Sequence, residues 1–263
     1  RDIFLDRAGD WHVHGVAQSP ERALAGVDVA FNAMHGEYGE DGQLQRALDK
    51  LGVLYTGSDA FASAIAYNKQ HTKEAVQKLG VKVPHGLVFE PAREGEIDEL
   101  ARRLFRSFPH PAIVKPVSGG SSVGTHVAHT YHGLEYALKE ASAIAPKILV
   151  EEYIVGTEAS VGVMNDFRNE PTYALIPSPA QLSHDEKDAL ISIAKTVHDG
   201  LGLSHYSEAD FVVSKRGIYF LEVNSLPKLH SGSKLMGALA SVGTSLTQFL
   251  DHIISLAHGR RTQ

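Results

Sequence analysis

Residues 208–227 read EADFVVSKRGIYFLEVNSLP. Two runs rich in β-branched and aromatic residues flank SKRG, which is the pattern of a β-hairpin. A three-residue loop of Lys215, Arg216 and Gly217, with the glycine left-handed, fits a turn followed by a bulge. That register sets Asp210 opposite Glu222. Side chains alternate along a strand, so Glu222 and Asn224 share a face and Asp210 joins them across the ladder. Two carboxylates and an amide on one sheet face repel unless a cation sits between them. Such hard oxygen donors suit Mg²⁺ (or Mn²⁺) held jointly with nucleotide phosphates. The competing reading is a solvent-facing polar strip, but Phe211, Val212, Ile218 and Phe220 mark a core strand pair.

Outward from this hairpin, strands and helices alternate, giving an α/β (α+β) chain. Upstream, VDVAFNAMHG is a short buried strand and turn, and DGQLQRALDKLG is a helix stopped by Gly52. VLYTGS is a further strand, after which Ser58 or Asp59 caps a helix. A second unit runs from about Val83 to Val150 as strand, helix, strand, glycine-serine turn, strand and helix. A third begins near KILVEEYIVG and contains a helix with a Ser183–Glu186 capping box and a buried stripe of Leu190, Ile193, Ala194 and Val197. The expected division is 1–57, 58–150 and 151–263.

In PAIVKPVSGGSSVG, Lys115 ends an apolar strand and precedes a small flexible turn. Free backbone N–H groups in such a turn can close over phosphates while the lysine supplies a point charge. The lysine precedes the glycines, so this is no P-loop; a plain hairpin connection is the alternative. In KILVEEYIVGTE, Glu151, Glu152 and Glu158 interrupt and follow an apolar strand. They can accept hydrogen bonds from an adenine amino group and ribose hydroxyls, or simply turn to solvent. Lys69, opening the helix after AIAYN, is placed to reach the same phosphates.

Composition narrows the classes. The chain has 263 residues, 43% of them hydrophobic and 21% charged, with a formal charge of −6. An acidic balance argues against general nucleic-acid binding. The absence of cysteine removes disulfides, thiolate metal sites and thiol nucleophiles. No apolar run is long enough to span a bilayer and no signal pattern opens the chain, so cytoplasm is the expected location. The closest histidine spacings, His12/His14 and His126/His129/His132, lack an accompanying carboxylate geometry and read as surface residues rather than zinc ligands.

Taken together, HGEYGEDG, TGSDAFASAIAYNK, IVKPVSGGSSVG, VEEYIVGTE and YFLEVNSLP resemble, in order and spacing, the ATP-grasp superfamily and specifically the D-alanine–D-alanine ligase family. The resemblance implies an ATP-grasp fold with ATP between the second and third units, preceded by a truncated Rossmann-like unit. It implies that Lys69 and Lys115 contact phosphates, and that Glu151, Glu152, Tyr153, Ile154 and Glu158 line the adenine and ribose. Asp210, Glu222 and Asn224 would bind magnesium. Ser121 and Ser122 in the glycine loop, Ser233, His35 and Glu40 would sit near nucleotide or substrates. The implied activity joins D-alanine to D-alanine through an acylphosphate, for peptidoglycan synthesis; family precedent suggests a homodimer.

Four departures accompany it. The family's first strand and glycine-rich turn have no counterpart before RDIFLDRAGDW. The long covering loop with its lysine-tyrosine pair is missing from FRNEPTYALIPSPAQL. An arginine that supports the oxyanion is Glu208 here, and a glycine after the proline of NSLP is Lys228. Lys228 either restores positive charge, by pairing with Glu208 or reaching the oxyanion, or points to solvent and leaves the site crippled. A changed amino-acid substrate, or a nucleotide-binding relative with little ligase activity, are the competing readings.

Overall fold

The computed structural model describes residues 1–6, 8–91, 94–119 and 124–259. Strands β1 (Ile3–Leu5), β2 (Trp11–Val13) and β3 (Val16–Gln18) form an antiparallel meander. Helix α1 (Pro20–Ala23), β4 (Val29–Ala30), α2 (Gln43–Leu51) and β5 (Leu54–Tyr55) follow, with β4 and β5 paired in parallel. The core of this unit is Trp11, Leu44, Leu48 and Tyr55. Gly52 ends α2 as its composition implied, donating its N–H to the carbonyls of Asp49 and Leu48.

Helices α3 (Ala60–Tyr67) and α4 (Lys69–Lys78) meet at Asn68. Asp59 caps the first by accepting from the Ala62 N–H at 2.8 Å, and Asn68 caps the second by accepting from His71 at 3.1 Å. A cap satisfies an N–H that the helix itself leaves without a partner. Two caps nine residues apart thus break one apolar run into two helices and fix where Lys69 begins the second.

The central sheet contains β6 (Gly86–Phe89), β7 (Ala112–Pro116), β8 (His126–Ala128) and β9 (Ile148–Glu152) in the order β6-β9-β7-β8. Helices α5 (Glu94–Ser107) and α6 (Tyr131–Ile144) cover one face through Leu100, Leu104, Leu134 and Leu138. The other face carries Lys115 and Glu151.

The C-terminal sheet is built from β10 (Thr157–Phe167), β11 (Glu170–Ala174), β12 (Tyr206–Ser214) and β13 (Gly217–Asn224), in the order β11-β10-β12-β13. Helix α7 (His184–Gly200) starts at Ser183 with the expected capping box and buries Leu190, Ala194 and Val197 on this sheet. Helices α3 and α4 add Ala62, Ala66 and Val76 to the same core. Helices α8 (Lys234–Ser241) and α9 (Leu246–Gly259) bury Leu235, Phe249 and Ile253 against Met164 and Tyr206. Gly162 makes this possible: a Cβ there would lie 2.7 Å from Leu235 Cδ1.

The β12–β13 hairpin corrects the expected loop while keeping its consequence. Ser214 pairs directly with Gly217, so Lys215 and Arg216 alone make the turn, with Gly217 at φ +114°. The surplus residue sits further on: Phe211 pairs with Phe220, but Asp210 pairs with Glu222. Ile218, Phe220 and Val223 all face the α7 core, so alternation is broken between 220 and 223. Leu221 and Glu222 are thereby left on the opposite face. A bulge of this kind re-aims side chains and is common beside functional sites.

The segment after β11 is short, as read from the sequence. Arg168 and Asn169 turn β10 into β11, Ser160 and Ser178 form an isolated bridge, and α7 is reached by Ser183.

Candidate active-site cleft

Three lysines converge between the two sheets. Glu151, 1% exposed, holds Lys73 through one carboxylate oxygen and Lys115 through the other, each at 2.7 Å. Burial alone would protonate Glu151, but the two ammonium groups overcome it and hold the carboxyl below its usual range. Lys73 is pushed down to about 8 by burial, offset by Glu151 and deepened by Lys115. Lys69, also buried, donates to the Gly119 carbonyl at 2.5 Å and lies 3.8 Å from Glu222. Three lysines around one fully buried carboxylate leave excess positive charge, and Lys69 brings it to the surface it lines with Gly119 and Glu222. Such an excess is costly in a dry protein and favourable beside a polyanion.

The facing wall is acidic. Asp210 pairs with Glu222, and Glu208 with Asn224, on adjacent strands. Asp210 accepts from Lys234 at 2.9 Å and from Ser160 Oγ. Together these residues line a cleft of about 610 Å³ that reaches His35, Glu40 and Ser233. Beside it, Ile154, Val212, Tyr219 and Leu221 form an apolar patch.

Glu208 is only 9% exposed, and burial beside Asp210 pushes its carboxyl up to about 7. The lysine whose charge acts on it is Lys234, at the start of α8. Lys228, a candidate for that place, instead exerts its charge on Glu40. Glu40 is buried, its carboxyl raised by burial; it accepts the Gly36 N–H at 2.7 Å and has His35 at 3.6 Å.

Other sequence-derived candidates fall as follows. Glu151 is occupied by lysines rather than open to the cleft. Glu152 accepts from the His85 N–H at 3.1 Å and pairs with Arg216 at 3.0 Å, tying the hairpin tip to the central sheet. Tyr153 and Glu158 are exposed and Ile154 is buried. Ser233 caps α8, accepting from the Met236 N–H at 3.3 Å. Ser121 and Ser122 lie outside the described residues. Lys73 and Lys234 were not anticipated. Lys73 lies one turn beyond Lys69 on the same helix face, a spacing legible in KQHTK. Lys234 carried a subtler signal, a cation at a helix N-terminus, where the dipole disfavours it.

Two antiparallel sheets with a buried lysine cluster beside a carboxylate pair define an ATP-grasp fold. The profile described as "D-ala D-ala ligase C-terminus" matches residues 75–176 and 167–255, and "D-ala D-ala ligase N-terminus" matches 3–58. The chain therefore belongs to the D-alanine–D-alanine ligase family. It is 35% identical over 250 residues to the D-alanine–D-alanine ligase of Geotalea uraniireducens (strain Rf4), covering 88% of this chain and 79% of that one. Identity to the ligase of Pediococcus pentosaceus is 32% over 251 residues, covering 88% and 69%. The structure of the D-alanine–D-alanine ligase from Coxiella burnetii matches with a TM-score of 0.83 at 24% identity, over 98% of this chain and 84% of that one. VanG D-Ala:D-Ser ligase from Enterococcus faecalis matches at 0.81 and 24% identity, covering 97% and 88%. Both structures share the fold. Among the described residues no helix is long and apolar enough to cross a membrane.

Proposed function

We propose that the chain uses ATP to join two D-alanine molecules for peptidoglycan precursor synthesis. The observation that carries this reading is the buried cluster of Lys69, Lys73 and Lys115 lying beside the Asp210–Glu222 pair, with Lys69 3.8 Å from Glu222, in a chain spanning most of its ligase relatives. The carboxylate oxygen of the first amino acid attacks the γ-phosphorus of ATP and ADP departs, leaving an acylphosphate. The amine of the second attacks the acyl carbon, loses a proton and expels phosphate.

In this reading Lys69 and Lys115 neutralise phosphate oxygens, and Glu151 keeps Lys115 charged and aimed. Ile154 and its apolar neighbours receive the adenine, with Glu152, Tyr153 and Glu158 towards its rim and ribose. Asp210 and Glu222 each already attract a lysine ammonium, at 2.9 and 3.8 Å, so they are a cation-seeking pair, and Asn224 adds a neutral oxygen donor. These three suit Mg²⁺ or Mn²⁺, which when bound would withdraw charge from the phosphates. His35, Glu40 and Ser233 orient the amino acids, with alignment supplying much of the rate. The proposed units are 1–57, 58–150 and 151–263, with α3 and α4 packing on the third although they belong to the second in sequence.

The test is phosphate release from ATP with D-alanine, counted against dipeptide formed. D-Alanine-dependent release with dipeptide is expected. Phosphate should exceed dipeptide, because only residues 175–182 separate β11 from the α7 cap and water exclusion suffers. ATP turnover indifferent to D-alanine would sink the reading. A different acceptor amino acid is the second reading, favoured by Glu208; a screen of D- and L-amino acids separates the two.

A further inference from the structure

Helix α8 is seated by Leu235 and Leu239, and Leu235 fills the space above Gly162, which is the cross-strand neighbour of Glu208. The Leu235 N–H then meets the Glu208 carboxylate, and Lys234 is carried to the cleft mouth. Its ammonium uses one donor on Asp210 at 2.9 Å. A cation in the first turn of a helix works against the dipole, so local helix stability does not account for this lysine. Its place is set by Asp210 and by the cleft it lines.

We propose that Lys234 is the cation of the acyl-transfer centre, contacting from helix α8 the anionic oxygens that form there. This rests on the ligase reading above. The charge is supplied from the helix, and Glu208 on the neighbouring strand is the acid that faces it. Glu208 is accordingly no defect in the site but the acid that pairs with Lys234. An ammonium with donors free of Asp210 can stabilise oxyanions that are weak in the ground state and strong at the transition state.

Steady-state kinetics on charge-relocated variants test this. Lys234→Met should lower kcat 50-fold or more with the KM for ATP nearly unchanged, and Lys234→Arg should recover most of it. Lys234→Met with Glu208→Arg should also recover activity, because the charge is then supplied from the strand. A merely structural lysine would show no such rescue. Lys234→Met within threefold of the parent, or a double variant no better than Lys234→Met alone, overturns the proposal. If the parent releases no phosphate with D-alanine, the ligase reading fails instead. Lys234 is then judged by orthovanadate binding in the presence of MgADP: at least tenfold weaker binding in Lys234→Met supports the contact, and equal binding overturns it.

Discussion

Asp210 faces Glu222 across a one-residue step in register, with Leu221 as the surplus residue. Without that step, strand alternation would carry Glu222 to the face of Phe220, into the α7 core. The bulge thus turns an acidic side chain outward, opposite the lysines. Glu222→Gln keeps the size and removes the charge. It is expected to lower ATP turnover by at least a hundredfold while leaving the circular dichroism and thermal midpoint unchanged. Deleting Leu221 should be far more damaging, since it drives Glu222 towards apolar packing; the expected readout is insoluble or molten protein. An active Glu222→Gln variant with ordinary magnesium dependence would remove this residue from the site.

Glu151 makes a second prediction about stability. It is the carboxylate bridging Lys73 and Lys115, and all three are buried. Removing one member of a buried ion pair leaves uncompensated charge and costs about 3–5 kcal/mol. Urea unfolding of Glu151→Gln should show a loss of that order. Saturating MgATP should restore part of it, because phosphates replace the missing negative charge and ligand binding favours the folded state. A variant as stable as the parent without nucleotide would mean that the lysines find other counter-charges.

His198 supplies the pH dependence. It is fully buried on α7; Nδ1 lies 2.7 Å from Ser207 Oγ and Nε2 3.2 Å from Asn165 Oδ1. Asn165 Oδ1 also accepts the His205 N–H, so Nε2 carries the ring proton and Nδ1 accepts from Ser207. Burial pushes the imidazole down from 6.5 to about 4. Between those values the unfolded chain binds a proton that the folded chain does not. Stability therefore falls as pH drops from about 6.5 towards 4, by roughly 3 kcal/mol for this one group. Unfolding midpoints measured across that window should show the slope, and His198→Gln should flatten it. A parent protein with no slope there would place the acid sensitivity elsewhere.

Much of this was legible in sequence because local rules and function coincide there. The caps at Asp59 and Asn68, the stop at Gly52 and the Ser183–Glu186 box are short-range signals that tertiary context left intact. The Asp210–Glu222 pairing was anticipated through a three-residue turn, whereas the chain uses a two-residue turn and a bulge at Leu221. Turn and bulge displace register equally, so the sequence pattern could not separate them. What escaped reading depends on three-dimensional proximity. Nothing in VEEY says that Glu151 will be claimed by two lysines, one of them from α4. Lys228 is nearer in sequence to the metal-facing strand than Lys234, yet the fold sends it towards Glu40 and brings Lys234 to Glu208.

Gly162 bears neither charge nor hydrogen-bonding side chain, yet it sets the electrostatics of the reacting centre. A methyl group there would meet Leu235 Cδ1 at 2.7 Å and Leu175 Cδ1 at 2.8 Å, so these leucine side chains would have to give way. Where Leu235 is displaced, Lys234 beside it loses its seat, leaving Glu208 and Asp210 as like charges on one face of one strand. A substitution to alanine at this position would therefore register as an electrical fault, although the change itself is only one of volume.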